Sequence, residues 1–221
     1  MIYIAIIGDF IDSKGLSERY HVQERFKTCL DHINEKFKNF IISKFSITLG
    51  DEFQGLLKQD APIFQIIDYL NYLMHPYQIR YGLGLGKILT DINPEISIGA
   101  DGPAYWLARE AITYIHQKND YGQTHLAIRT ENPSSNPLLN SLLAAGEAIK
   151  SNWRTSQVEV FYALLELDNY NEQFNQQILG DKLHLSASAL SKRLKSSSLK
   201  VYLRSRNSAK QLLETLNSEG E

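Results

Sequence analysis

Apolar residues run almost without interruption from Ile2 to Ile7 and stop at Gly8-Asp9. So continuous a β-branched run marks a central strand buried on both faces. From Leu16 onward, Tyr20, Phe26, Cys29, Leu30, Ile33, Phe37 and Phe40 fall mostly three or four apart among Glu, Lys and Asn. That spacing is one face of a long helix. Phe45 to Leu49 alternates with period two, Gly50-Asp51 supplies turn chemistry, and Phe53 to Leu57 resumes the apolar character, which predicts a hairpin. A second helix is expected from Ala61 to His75, closed by Pro76. A strand over Ile79 to Leu89, a third helix over about Pro103 to His116 and a short strand over Thr124 to Ile128 complete the pattern. Gly82, Gly84 and Gly86 share one face of their strand, where absent side chains let a helix or a ligand approach the backbone.

The order β-α-β-β-α-β-α-β predicts an α+β fold, a ferredoxin-like sheet with one added unit. Strand two returns through the first helix and should run parallel to strand one, so the turn after it lies at the sheet edge where strand one ends. Asp9 and Asp51 are therefore expected to converge. Pro133-Ser134-Ser135-Asn136-Pro137 breaks the pattern and Leu138 to Trp153 reads as a connecting helix, with helical segments and no strand signal beyond it. The expected division is an α+β domain over 1–131, a linker and connecting helix over 132–155, and a small all-α domain over 156–221.

Composition narrows the function. Apolar residues make up 43% of the 221 and charged residues 22%, enough for a real core and against wholesale disorder. The formal charge of −2 gives no global field that draws the chain to nucleic acid or anionic lipid, so any such binding needs a local patch. Cys29 stands alone, which excludes an internal disulfide and a Cys-rich zinc site and fits a reducing compartment. The six histidines lack ligand spacing. The opening apolar run is too short for a membrane span, so a cytoplasmic protein with no membrane partner is expected.

Two carboxylates at one sheet edge repel each other unless a cation sits between them, and hard oxygen donors suit Mg²⁺. Such an ion would hold a nucleotide's phosphates and neutralise charge in phosphoryl transfer. Glu52 offers a further ligand, and Asp12, Ser13 and Lys14 form a polar loop in which Lys14 is placed to meet phosphate. As plain structure, Gly50-Asp51 is an ordinary hairpin turn and Asp9 a helix cap.

Asp9 ending strand one, Gly50-Asp51-Glu52-Phe53 on the hairpin, Arg80 to Gly86 on the next strand, and Gly102 followed by Ala108-Arg109 on a helix resemble class III nucleotide cyclases, whose palm-like fold diguanylate cyclase domains share. Ile7 to Lys14, Leu49 to Gln54 and Gly99 to Ala111 together resemble the SatD family, bacterial proteins linked with acid tolerance. The cyclase resemblance implies that Asp9 and Asp51 bind metal with help from the Phe10 carbonyl. It also implies that Ser13, Lys14 and Gly50 lie about the nucleotide and that Arg109 stands where a transition-state arginine acts. Three positions depart from the cyclase patterns: Ile47 where a base-reading lysine is common, Tyr105-Trp106 where a ribose-orienting Asn is common, and Leu49 where diguanylate cyclases carry a glycine.

Between Asp181 and Lys210 eight cations stand against one acid. Charge sorted by region in this way is the footprint of a nucleic-acid module. Gln176 to Leu194 resembles a helix-turn-helix of the sigma-region-four type, with Gly180 at the helix crossing, Ser186 as N-cap of the second helix and His184 where a glycine is usual. Ser188, Ser191, Lys192, Arg193 and Lys195 are the expected DNA contacts, dividing base edges and phosphates. A two-fold dimer would suit DNA half-sites.

Three functions follow. The first is a transcription regulator that binds Mg²⁺ and a nucleotide in one domain and DNA through the other. The second is a Mg²⁺-dependent nucleotidyl cyclase or nucleotidyltransferase with Asp9, Asp51 and Arg109 as its catalytic residues. The third is a non-catalytic interaction protein whose acidic edge is vestigial.

Overall fold

β1 (Tyr3–Phe10) lies at the centre of a five-stranded mixed sheet of order β2-β3-β1-β4-β5. β2 (Ile41–Leu49), β3 (Glu52–Lys58) and β4 (Ile79–Gly86) form with it the ferredoxin-like order, and β5 (Leu126–Thr130) adds the extra unit parallel to β4. The computed structural model describes residues 1–11, 19–117 and 122–216. Both neighbours of β1 are antiparallel to it, and their register sets Asp9 opposite Glu52 on β3 and opposite Arg80 on β4. β2 is antiparallel to β3 and so runs with β1, as the crossover argument requires, although β3 lies between them.

Residues of β1 alternate between the two faces of the sheet. Ile4, Ile6 and Phe10 join the larger core with α1 (Arg19–Lys36) and α2 (Ile63–Met74), while Ala5 and Ile7 pack under α3 (Pro103–His116). Phe40 packs on the larger core although α1 stops at Lys36, because a turn with the Phe40 N–H on the Phe37 carbonyl carries the apolar rhythm on without helix. β4 ends at Gly86, shorter than expected, because the Lys87 carbonyl turns to accept from the Ala104 N–H at the start of α3.

α4 (Asn136–Ser151), α5 (Thr155–Glu166), α6 (Gln176–Leu183), α7 (Ala187–Ser197) and α8 (Leu199–Thr215) complete the chain. Val160, Phe161, Leu164, Leu179, Leu190 and Leu194 form a second core with Leu199, Tyr202 and Leu203 of α8. Ala209 and Leu213 of the same helix enter the larger core beside Leu139 and Leu143 of α4. α8 thus belongs to both cores, so residues 156–216 share a core with the sheet. Among the described residues no helix is long and apolar enough to cross a membrane.

Candidate functional site

The glycine face of β4 seats α3. A Cβ at Gly84 would lie 2.0 Å from the Ala104 carbonyl oxygen, and one at Gly82 would lie 2.4 Å from that of Ala108, so the helix backbone rests directly on the strand. Arg109 and His116, seven residues apart on α3, then stand over the end of β1. Arg80 shares its strand face with the glycines and points the same way.

Four elements meet at this rim. Asp9 is mostly buried and both of its oxygens are engaged: Oδ1 accepts from Arg80 Nε at 2.8 Å, and Oδ2 lies 3.4 Å from Arg80 Nη2 and 2.8 Å from His116 Nε2. Glu52 accepts a two-pronged fork from Arg109, Nη1 to Oε2 at 2.7 Å and Nη2 to Oε1 at 3.0 Å, and the Thr48 hydroxyl donates to Oε1 at 3.1 Å. The Arg109 fork holds the Glu52 carboxyl below its ordinary range against the opposing effect of partial burial. Gly50 turns the hairpin with φ +55, and its carbonyl accepts from Gln23 of α1 at 3.1 Å. The Phe10 N–H donates to the Asp51 carbonyl at 3.3 Å, so the end of β1 and the hairpin turn are joined.

The rim therefore brings together Asp9, Phe10, Gly50, Asp51, Glu52 and Arg109. Ser13 and Lys14, with Asp12, lie outside the described residues. The acids do not fit the expected Mg²⁺ as they are arranged, because the oxygens of Asp9 and Glu52 already accept from Arg80, His116 and Arg109. The Asp51 carboxylate makes no hydrogen bond or ion pair to another described residue, so of the three acids it alone has oxygens that no described side chain engages. Among the described residues no group of three or more His, Cys, Asp or Glu is placed to hold a metal.

The C-terminal candidate interface is built by a tight turn. The Leu185 N–H donates to the Gly180 carbonyl at 2.9 Å and the His184 N–H to that of Asp181 at 3.2 Å, with His184 left-handed at φ +53. A Cβ at Gly180 would lie 3.2 Å from the Leu185 oxygen, so only a small residue lets the chain fold back this closely. The Ser186 hydroxyl caps α7 through the Ala189 N–H. Ser188, Ser191, Lys192 and Lys195 form one exposed face of α7. Arg193 does not join them: it turns to α5, where Nη1 donates to the Ser156 carbonyl at 3.2 Å and to Glu159 at 3.3 Å.

The local excess of positive charge is also smaller in space than in sequence. Lys182, Arg193, Arg204, Arg206 and Lys210 pair with Glu166, Glu159, Glu172, Glu147 and Glu214. Among the described residues Lys192, Lys195 and Lys200 have no acid within ion-pair distance, and Lys200 lies over the Phe174 ring.

The model of the SatD family matches residues 3–213. The chain belongs to the SatD family. Two solved structures similar to this SatD-family chain carry titles describing a bacterial light-regulated adenylyl cyclase. They are 11% identical to it with TM-scores of 0.44 and 0.41, and each alignment covers 57% of this chain and 42% of the other. The SatD-family chain thus spans less than half the length of the solved chains it matches. A search of curated proteins finds no match.

Two rim residues of this SatD-family chain receive no role from the sequence: Arg80, which it places only in the strand motif, and His116. The available signal was parity: Arg80 is two residues before Gly82 and shares its face, and His116 is two helical turns beyond Arg109. A buried polar network was also missed. Asp68 of α2, 2% exposed, accepts from Lys150 of α4 at 2.6 Å and from the hydroxyls of Tyr170 and Tyr202 at 2.5 Å each. Burial raises the Asp68 carboxyl, and the Lys150 ammonium and Arg206 guanidinium outweigh it, so the group is held below its ordinary range.

Proposed function

We propose that this SatD-family chain is a regulatory protein that binds a nucleotide at the rim formed by β1, the β2–β3 turn, β4 and α3. The observation that carries this reading is the Arg109 fork. A guanidinium that grips a carboxylate with two parallel N–H bonds matches a phosphate equally well, and the Arg109 side chain is 52% exposed, open to exchange partners. The neighbouring turn, with Gly50 left-handed and Asp51 beside the end of β1, leaves backbone and a carboxylate near the same place for ribose and base.

A second reading concerns α7. Ser188, Ser191, Lys192 and Lys195 stand on one exposed helix face, the disposition that lets hydroxyls reach base edges while ammonium groups neutralise phosphates. We infer that this face contacts DNA. The network around Asp68 ties α2 of the sheet layer to α4 and α8.

The test is titration of the full chain with each ribonucleotide, with and without Mg²⁺, followed by chromatography of the mixture. Saturable binding without product supports the regulator. Formation of a cyclic or condensed nucleotide supports the enzyme, and no binding at millimolar nucleotide supports the vestigial edge. Salt-dependent retardation of duplex DNA by the full chain supports the α7 reading, and no retardation at low salt overturns it.

A further inference from the structure

The charges at the rim are arranged differently from those of a site that waits for a metal. Asp9 stands between two strands and is opposed on one of them by a cation in register, Arg80, whose Nε lies 2.8 Å from Oδ1. Its other oxygen meets His116 from the helix above at 2.8 Å. Glu52, opposite Asp9 on the second neighbouring strand, is held by Arg109. Two constraints place these groups: Arg80 follows the parity of the glycine strand, and His116 and Arg109 lie on the face of α3 that those glycines seat. A carboxylate whose oxygens already accept from a guanidinium has little left for a divalent ion, which must displace the arginine and meet its charge at short range.

We infer that Arg80 is the resident counter-ion of this rim, with His116 hydrogen-bonded to the same carboxylate, standing where a divalent ion would otherwise be needed, and that the rim therefore takes a nucleotide bearing a single phosphate group without Mg²⁺. The inference rests on the nucleotide reading above and adds the class of ligand. The charge count supports it: three acids, Asp9, Asp51 and Glu52, stand against two guanidiniums, Arg80 and Arg109. A triphosphate would bring several more negative charges to a place where acids already outnumber guanidiniums, and without metal it would be repelled by the same acids. A single phosphate group needs one fork, and Arg109 is the more exposed of the two arginines, 52% against 24% for Arg80. Arg80 remains on Asp9 while Arg109 exchanges Glu52 for the phosphate. Nothing covalent changes; one ion pair replaces another.

The experiment uses the full chain in two measurements. In the first, the affinities of nucleoside monophosphates, 3′,5′-cyclic monophosphates and triphosphates are measured calorimetrically in EDTA and again in Mg²⁺. A ligand with one phosphate group is expected to bind in EDTA with an affinity that Mg²⁺ changes less than about threefold, and the triphosphate to bind at least about tenfold more weakly, a difference of about 1.4 kcal/mol. A triphosphate that binds only with Mg²⁺, and more tightly than the monophosphates, overturns the inference and leaves the nucleotide reading standing. No binding by any nucleotide overturns that reading and the ligand class with it.

The second measurement judges the Arg80 counter-ion without any nucleotide. Binding of Mn²⁺ alone is followed by the loss of its free electron paramagnetic resonance signal. The unmodified chain is expected to leave the signal free at submillimolar Mn²⁺, whereas Arg80→Met, with Asp9 released beside Asp51, is expected to bind at least about tenfold more tightly. Tight Mn²⁺ binding by the unmodified chain overturns the assignment, as does a folded Arg80→Met variant that gains none. Arg80→Lys, which keeps a cation at the strand, serves if the methionine variant does not fold, and is expected to leave the signal free.

Discussion

Arg80 and Asp9 meet across the β1–β4 ladder, Nε to Oδ1 at 2.8 Å, in the register that makes them direct cross-strand partners. Their side chains are 24% and 15% exposed, so water screens the pair only in part. A double-mutant cycle of Asp9→Asn and Arg80→Met, read by urea unfolding, is expected to give a coupling energy of about 1–3 kcal/mol. Additive effects would show that the two do not act as a pair.

Gly84 carries the close approach that positions Arg109. Gly84→Ala places a methyl 2.0 Å from the Ala104 carbonyl oxygen, on backbone that cannot swing aside. The expected cost is about 1–3 kcal/mol of stability, with α3 lifted and the Arg109 fork on Glu52 lost. Chemical denaturation gives the first quantity, and the second appears as weakened nucleotide binding.

Asp68 ties the helical layers together. Removing its charge by Asp68→Asn leaves the partly buried Lys150 ammonium beside a neutral amide, for an expected loss of about 3–5 kcal/mol at neutral pH. The sign with pH follows from the depressed carboxyl. Stability from the ionised form is complete above the unfolded value of about 3.9 and is lost as pH falls through the folded value below it. Unmodified chain and variant should therefore converge in stability as the medium is acidified, which unfolding curves from pH 7 downward would reveal.

On α7 the prediction separates neighbours in sequence. Lys192→Ala with Lys195→Ala is expected to weaken DNA binding evenly across sequences and to reduce the salt slope by about two. Arg193→Ala, whose guanidinium serves Ser156 and Glu159, should leave that slope unchanged. Equal effects of all three would place Arg193 on the DNA face.

Topology was legible because it depends on few features. One hairpin and two crossovers bring the turn at Gly50-Asp51 to the end of β1, and the Phe10 N–H on the Asp51 carbonyl realises that meeting. The glycine strand announced a close approach, though not whether a helix or a ligand makes it; α3 makes it. The partners of the acids were hidden, since Asp9 and Arg80 are 71 positions apart and Asp9 and His116 are 107 apart. The charge of the C-terminal segment misled for a related reason. A sum over Asp181 to Lys210 omits Glu147, Glu159, Glu166 and Glu172, which precede the segment and fold back to neutralise it.

The most direct measurement compares calorimetric binding of a nucleoside monophosphate to the unmodified chain and to Arg109→Ala under identical conditions. Saturable one-to-one binding, weakened at least about tenfold in the variant while its unfolding midpoint stays within a few degrees, is the expected result. Absence of heat from the unmodified chain at millimolar nucleotide, or equal affinity in both proteins, would contradict it.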